Sequence, residues 1–174
     1  VIWGLEMLLG NSFIYKWLYA PVATVAEPWR MITSAFLHSS SSPLHLLFNM
    51  YTLWVFGREL EYILDRGRFL ALYLVSAFGG SVGVLWLASP STPVLGASGA
   101  LFGLMAAYFV IVRSMGGNTA QLTGLIAINL VLGFLPGIAW QAHVGGLVAG
   151  GAVAYVYSKN RSPAAKQQRV LGVV

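Results

Sequence analysis

Six apolar runs, separated by proline, glycine and charged residues, constrain the fold of this chain more than any other feature of its sequence. They cover residues 1–18, 44–56, 69–88, 98–112, 120–135 and 140–157. Only 9% of the residues are charged, whereas a soluble domain carries about 25%. Too little polar surface exists to cover a globule in water, so the sequence predicts an all-α polytopic membrane protein with six transmembrane helices.

The length of the chain limits what else it can contain. A membrane-spanning helix needs about 20 residues, so the 174 residues leave no room for a separate soluble catalytic domain. We therefore expect a single membrane domain over 1–174, with a long outer loop at 19–43. Because Val1 stands where a complete chain has methionine, we also expect the sequence to be a piece of a longer protein.

The positions of lysine and arginine predict the orientation, because these residues collect on the cytoplasmic side of membrane proteins. If the chain begins inside, eight of them lie inside and two outside. The inside group is Arg58, Arg66, Arg68, Arg113, Lys159, Arg161, Lys166 and Arg169, and the outside group is Lys16 and Arg30. We expect a multi-pass protein of the cell membrane with both termini in the cytoplasm. The net charge of +5 reflects this orientation, and nucleic acid is not an expected partner.

The polar residues that are missing exclude several kinds of chemistry. The chain has no cysteine, and no aspartate or glutamate follows Asp65, which excludes a thiol nucleophile and a carboxylate pair in the second half. With three histidines and no HExxH pattern, a zinc-protease site is excluded too. We expect no metal and no cofactor. His143 is the one residue able to act as acid or base within the helices of the second half.

Ser98 and His143 open the fourth and the sixth run, and both runs are expected to pass from outside to inside. Ser98 precedes Arg113 by 15 residues and His143 precedes Lys159 by 16. At 1.5 Å per residue these spacings are about 22 and 24 Å. Both side chains should therefore lie at the same depth, a few ångströms below the outer surface.

Two GxxxG patterns predict that these two helices approach closely. Gly99 and Gly103 form one pattern, and Gly146 and Gly150 form the other. Glycines at this spacing let membrane helices pack closely, because no Cβ atoms separate the backbones. His143, Gly146 and Gly150 share one helical face, so close packing would place His143 beside the fourth run.

A serine next to a neutral imidazole can act as a nucleophile, because the imidazole removes its proton. The spacing thus predicts a catalytic dyad of Ser98 and His143, with Phe102 stacked on the imidazole in place of an orienting carboxylate. An acyl-transfer site also needs donors for the developing oxyanion. His45 and Asn49 share one helical face in the outer part of the second run, and with the Ser98 backbone N–H they could surround one oxygen.

At this point the sequence resembles the rhomboid family of intramembrane serine proteases over nearly its whole length. The matching pieces are Trp29-Arg30, His45-x-x-x-Asn49, Glu61, Gly96-Ala-Ser-Gly99 and the stretch from Ala142 to Gly150. The resemblance implies a six-helix bundle with a water-filled cavity open to the outside.

The same resemblance also implies roles for individual residues. Ser98 would be the nucleophile and His143 the general base, with His45, Asn49 and the Ser98 backbone as the oxyanion site. Substrates would be single-span membrane proteins in the lipid bilayer, cut near the outer ends of their helices, often after a small residue such as alanine. The fifth run and the loop near 134–140 would move to admit them.

Other interpretations stay open at this stage. The chain could be a catalytically silent rhomboid-like binder of membrane client helices. It could also be a channel or carrier, although the cytoplasmic halves of the fourth and sixth runs lack the polar residues that a continuous path requires. His38 fits a loop residue at the headgroup level, and Glu59 and Glu61 fit helix-end charges paired with nearby arginines. Trp29 and Arg30 fit an interfacial anchor or a gate.

Overall fold

The computed structural model describes residues 2–39 and 42–159, and eight α-helices account for most of them. In chain order they are α1 (Ile2–Leu9), α2 (Asn11–Trp17), α3 (Arg30–Thr33), α4 (Pro43–Leu64), α5 (Arg66–Leu87), α6 (Ser98–Ser114), α7 (Ala120–Leu132) and α8 (Trp140–Lys159). Two short 3₁₀ helices lie before α4, at Pro21–Ala23 and Ser34–Phe36. The described residues contain one isolated antiparallel bridge and no strand, which confirms the all-α class.

The number of membrane spans remains a prediction. Within the described residues, α5 is the one helix whose length and composition alone would let it cross a membrane. The helices α6 and α7 are apolar but shorter. Three of the eight cationic residues assigned to the inside, at positions 161, 166 and 169, lie outside the described residues.

The first apolar run differs from the single helix predicted over 1–18. It forms α1 and α2, which are separated at Gly10, whose φ of +69° lies in the left-handed region that favours glycine. The second run differs at its end, because α4 continues past the predicted end at 56 to Leu64. This extension contains Arg58, Glu59 and Glu61, and arginine and glutamate are both good helix formers.

The helix α6 lies at the centre of the bundle and α7 at its edge. Ten of the seventeen residues of α6 are buried, whereas α7 has no buried residue. The helix α6 packs against α4, α5 and α8, and α8 also packs closely against α5. Large apolar side chains stay exposed along α4, among them Leu44, Leu47, Phe48, Tyr51 and Trp54, as expected for a surface that faces lipid.

The chain between α2 and α4 is held to the bundle by hydrogen bonds. The Arg30 guanidinium donates to the carbonyl oxygens of Tyr15 and Leu18, at 2.7 and 3.2 Å, beside the end of α2. The Ser81 hydroxyl on α5 donates to the Met31 carbonyl oxygen at 2.7 Å. This segment is therefore part of the folded core and not a loose external loop.

Candidate active site

Ser98 and His143, which are 45 residues apart in the sequence, meet between α6 and α8. Ser98 is the first residue of α6, and its Oγ lies 3.0 Å from Nε2 of His143. His143 is buried and only 6% exposed, while Ser98 is partly exposed. In the tautomer that carries its proton on Nδ1, His143 accepts a hydrogen bond from the Ser98 hydroxyl.

Glycines bring the two helices close enough for this contact. A Cβ atom added at Gly146 would collide with the carbonyl group of Gly99, and one added at Gly150 would collide with the backbone of Gly103. The helix α5 joins them through Gly80, where a Cβ would lie 3.1 Å from the Ala142 carbonyl oxygen. The structure thus brings together the two GxxxG patterns singled out in the sequence.

An aromatic ring holds the His143 imidazole. Phe102 stacks on it with ring centroids 4.3 Å apart and an angle of 16° between the planes. The Nδ1 atom of His143 is buried and has no hydrogen-bond partner among the described residues. It faces Gly133, where an added Cβ would lie 3.0 Å away. The ring is therefore oriented by packing, in a site that offers no carboxylate to Nδ1.

The segment that leads into Ser98 is fixed on both sides. Tyr19 and Val94 exchange two backbone hydrogen bonds of 3.0 and 2.7 Å, and the Gly96 N–H donates to the Ser34 carbonyl oxygen at 2.9 Å. Gly96 has a φ of +124°, a conformation that L side chains rarely adopt. A glycine here lets the chain turn sharply into the first residue of α6.

His45 and Asn49 lie on α4, and His45 reaches this turn. A Cβ at Gly96 would lie 2.8 and 2.9 Å from Cε1 and Nε2 of His45, so the imidazole occupies the space that a side chain would need. Asn49 is buried, and its amide donates to the His45 carbonyl oxygen at 2.8 Å. Among the described residues, neither side chain is hydrogen-bonded to Ser98, and the oxyanion arrangement stays a prediction.

Two residues near the site were not predicted from the sequence. His38 lies in a loop, as expected, but it is buried, only 4% exposed, and its ring centroid lies 5.5 Å from that of His45; its level relative to the headgroups stays a prediction. Glu6 on α1 is fully buried and accepts the His38 backbone N–H. A glutamate inside an apolar run was a usable signal, since such residues are costly within a membrane. Glu61 does pair with Arg66, at 3.1 Å, as expected.

The arrangement has the geometry needed for nucleophilic catalysis by a hydroxyl. A serine and a base within hydrogen-bond reach are the minimum requirement, and a third element that orients the base completes it. In the described part of the chain, no three histidine or carboxylate side chains come together as a metal site would require. The class of site is a serine–histidine pair in a helical bundle, with the histidine buried and the serine partly exposed.

Comparison with known proteins places the chain in a family. The family model described as Rhomboid domain matches residues 25–160, so the chain belongs to the rhomboid family and is a membrane protein. It is 37% identical over 137 residues to RHOMBOID-like protein 6, mitochondrial, of Arabidopsis thaliana, covering 75% of this chain and 44% of that protein. This confirms the resemblance drawn from the motifs.

Two bacterial relatives carry the word protease in their names. The chain is 36% identical over 133 residues to Rhomboid protease GluP of Bacillus subtilis, covering 71% of this chain and 25% of that protein. It is 31% identical over 163 residues to Rhomboid protease GlpG of Yersinia pestis, covering 76% of this chain and 58% of that protein. The chain thus spans less than two thirds of the length of these relatives.

Proposed function

We propose that this chain is an intramembrane serine endopeptidase in which Ser98 is the nucleophile and His143 the general base. The 3.0 Å contact between Ser98 Oγ and His143 Nε2 carries this proposal. Membership of a family with protease-named relatives supports it. The stack of Phe102 on His143 supports it further, because a base must keep its orientation to be effective.

The proposed reaction follows from these positions. His143 Nε2 takes the hydroxyl proton as Ser98 Oγ attacks the scissile carbonyl carbon, and the carbonyl oxygen becomes an oxyanion. His143 then returns the proton to the leaving amine, which leaves an acyl ester on Ser98. A water molecule, deprotonated by His143, hydrolyses the ester and regenerates the Ser98 hydroxyl. The imidazolium formed in each step is held by Phe102.

We assign the oxyanion site to the His45 imidazole, the Asn49 amide and the Ser98 backbone N–H. His45 lies against Gly96, two residues before Ser98. One amide hydrogen of Asn49 is directed at the His45 carbonyl oxygen, and the second is free to donate because an amide carries two.

Replacing Asn49 with alanine is expected to lower the rate of substrate cleavage by about tenfold to a thousandfold, the usual cost of losing one oxyanion donor. The measurement is kcat for a membrane substrate in proteoliposomes. Asn11→Ala at the start of α2 is the control, because it removes an exposed asparagine amide outside the proposed oxyanion site. An unchanged kcat in Asn49→Ala would remove this residue from the oxyanion site.

Replacing Phe102 with leucine is expected to slow serine labelling by about threefold to tenfold, because an aromatic pair contributes ~0.5–1.5 kcal/mol beyond its buried area. Phe102→Tyr keeps the stacked ring and should stay within about twofold of the wild type. The measurement is the rate of reaction with a fluorophosphonate, with thermal unfolding recorded for each variant. Equal rates in the leucine and tyrosine variants would show that stacking does not position His143.

The proposed substrates are single-span membrane proteins, cut near the outer end of their helices. This assignment comes from the family, and it agrees with the partly exposed Ser98 at the start of α6. The proposed topology has six spans, cytoplasmic termini and a site that opens to the outside. Five cationic side chains support this orientation. Arg66, Arg68, Arg113 and Lys159 lie near helix ends on the proposed inner side, and Arg58 lies in the last third of α4.

The proposal is tested by treating the purified, folded protein with a fluorophosphonate and by presenting it with a single-span reporter protein in proteoliposomes. Covalent labelling together with one defined cut near the outer end of the reporter helix is the expected result. A folded protein that retains the reporter helix without labelling or cutting would instead be a silent binder of client helices.

A further inference from the structure

Glu6 is an unexpected residue of the fold, because it is a glutamate inside an apolar run. Its side chain is fully buried on α1, and Oε1 accepts the backbone N–H of His38 at 2.9 Å. Its Oε2 atom is also buried and has no partner in the described part of the chain. Burying a carboxylate is costly, and one hydrogen bond offsets only part of that cost. An apolar side chain at this position would avoid the cost of burying a carboxylate but would leave the His38 N–H unpaired.

A chain of contacts leads from Glu6 toward Ser98. The neighbouring Leu37 is 2% exposed and packs with Ile14 and Leu18 of the α2 segment. These contacts fix the backbone at 37–38, and the His38 ring then lies 5.5 Å from that of His45, centroid to centroid.

The His38 side chain is suited to support a neighbouring imidazole. Burial, together with the nearby His45, lowers the pKa of His38 to about 4, so its ring is neutral at neutral pH. It therefore packs beside His45 without like-charge repulsion. His45 in turn fills the space over Gly96, while its ring lies against that of His38.

We propose that Glu6 is a positioning residue of the active site, which anchors His38 so that its ring holds His45 against the turn before Ser98. The expected effect on catalysis rests on the proposed function, but the positioning of His38 and His45 by Glu6 does not depend on activity. Glu6 acts through His38 and His45 and does not touch the reacting atoms.

The first test uses the fact that the chain has only three histidines. In protein labelled with ¹⁵N and ¹³C at histidine, in micelles, the ring signals are assigned with His38→Ala, His45→Ala and His143→Ala. Glu6→Leu is expected to move the ring signals of His38 and His45, whereas Glu6→Gln keeps an acceptor oxygen and leaves all three in place. Movement of the His38 signal alone would overturn the proposal.

The second test measures catalysis. Glu6→Leu should slow fluorophosphonate labelling of folded protein about tenfold, and Glu6→Gln less than about twofold. In a His45→Ala background, Glu6→Leu should have almost no further effect, because it acts through His45. Equal slowing in both backgrounds would assign Glu6 a general structural role and overturn the proposal.

A third variant covers the case in which Glu6→Leu does not fold. His38→Ala keeps the backbone N–H that Glu6 binds but removes the ring. It should therefore move the His45 signal and slow labelling about as much as Glu6→Leu does. An unmoved His45 signal in this variant contradicts the inference. If wild-type protein fails to label at all, the proposed function fails, while the histidine signals still decide whether Glu6 positions His45.

Discussion

Replacing Ser98 with alanine is expected to abolish covalent labelling by a fluorophosphonate and to lower substrate cleavage by at least about a thousandfold. The variant loses the hydroxyl that lies 3.0 Å from His143 Nε2, the one side chain hydrogen-bonded to that imidazole among the described residues. His143→Ala should cause a loss of the same order. The double variant should be no worse than either single one, because residues that act as a unit are not additive.

The control for this experiment is Ser76→Ala. Ser76 is a fully buried serine on α5 whose hydroxyl has no hydrogen-bond partner among the described residues, and it lies outside the proposed machinery. Its removal should leave labelling within about twofold of the wild type. Cleavage by Ser98→Ala at a rate near that of the wild type would refute the proposed nucleophile.

The second large effect is expected at the contact between α6 and α8. Gly150→Ala places a methyl group into the backbone of Gly103, and Gly146→Ala places one into the Gly99 carbonyl group. Backbone cannot rotate away as a side chain can, so each variant must separate the helices. We expect each to lower the free energy of unfolding by about 3 kcal/mol, the upper part of the range for overpacked sites.

Gly151→Ala is the matched control, since Gly151 adjoins Gly150 on the same helix. A Cβ there would meet only the Ala106 side chain, at an ordinary contact distance of 3.8 Å. Alanine in an unobstructed helix position is favoured over glycine by about 0.5–1 kcal/mol. Stability should therefore rise slightly in this variant and fall in Gly150→Ala. The same direction of change in both would contradict close backbone contact. Thermal or denaturant unfolding in detergent measures the stability of both variants.

The parts of the site that could be predicted are those that local sequence patterns indicate. His143 was accessible because no aspartate, glutamate or other histidine follows Asp65 in the sequence, and the glycine neighbours of Ser98 and His143 indicated which helices approach. Phe102 follows Ser98 by one helical turn, which again is a local relation. The oxyanion donors shared a face of one helix, but the sequence contains nothing that fixes their distance from Ser98.

The features that could not be predicted depend on tertiary contacts of irregular segments. His38 is drawn into the core by Glu6 and by the burial of Leu37, and neither contact leaves a periodic pattern. The break at Gly10 is similar, because an isolated glycine is compatible with a continuous membrane helix until a positive φ is observed. Helix ends such as Leu64 differed because charged residues can continue a helix beyond its apolar part.

The separation of Ser98 and His143 onto α6 and α8 has a consequence for the biosynthesis of the chain. A protein is made from its N-terminus, so Ser98 emerges well before the helix that carries His143. Until α8 docks against α6 and Gly146 meets Gly99, the serine has no base and remains an ordinary hydroxyl. If the chain has the proposed function, the nascent protein is therefore unable to cut its neighbours until α8, the last described helix, completes the bundle.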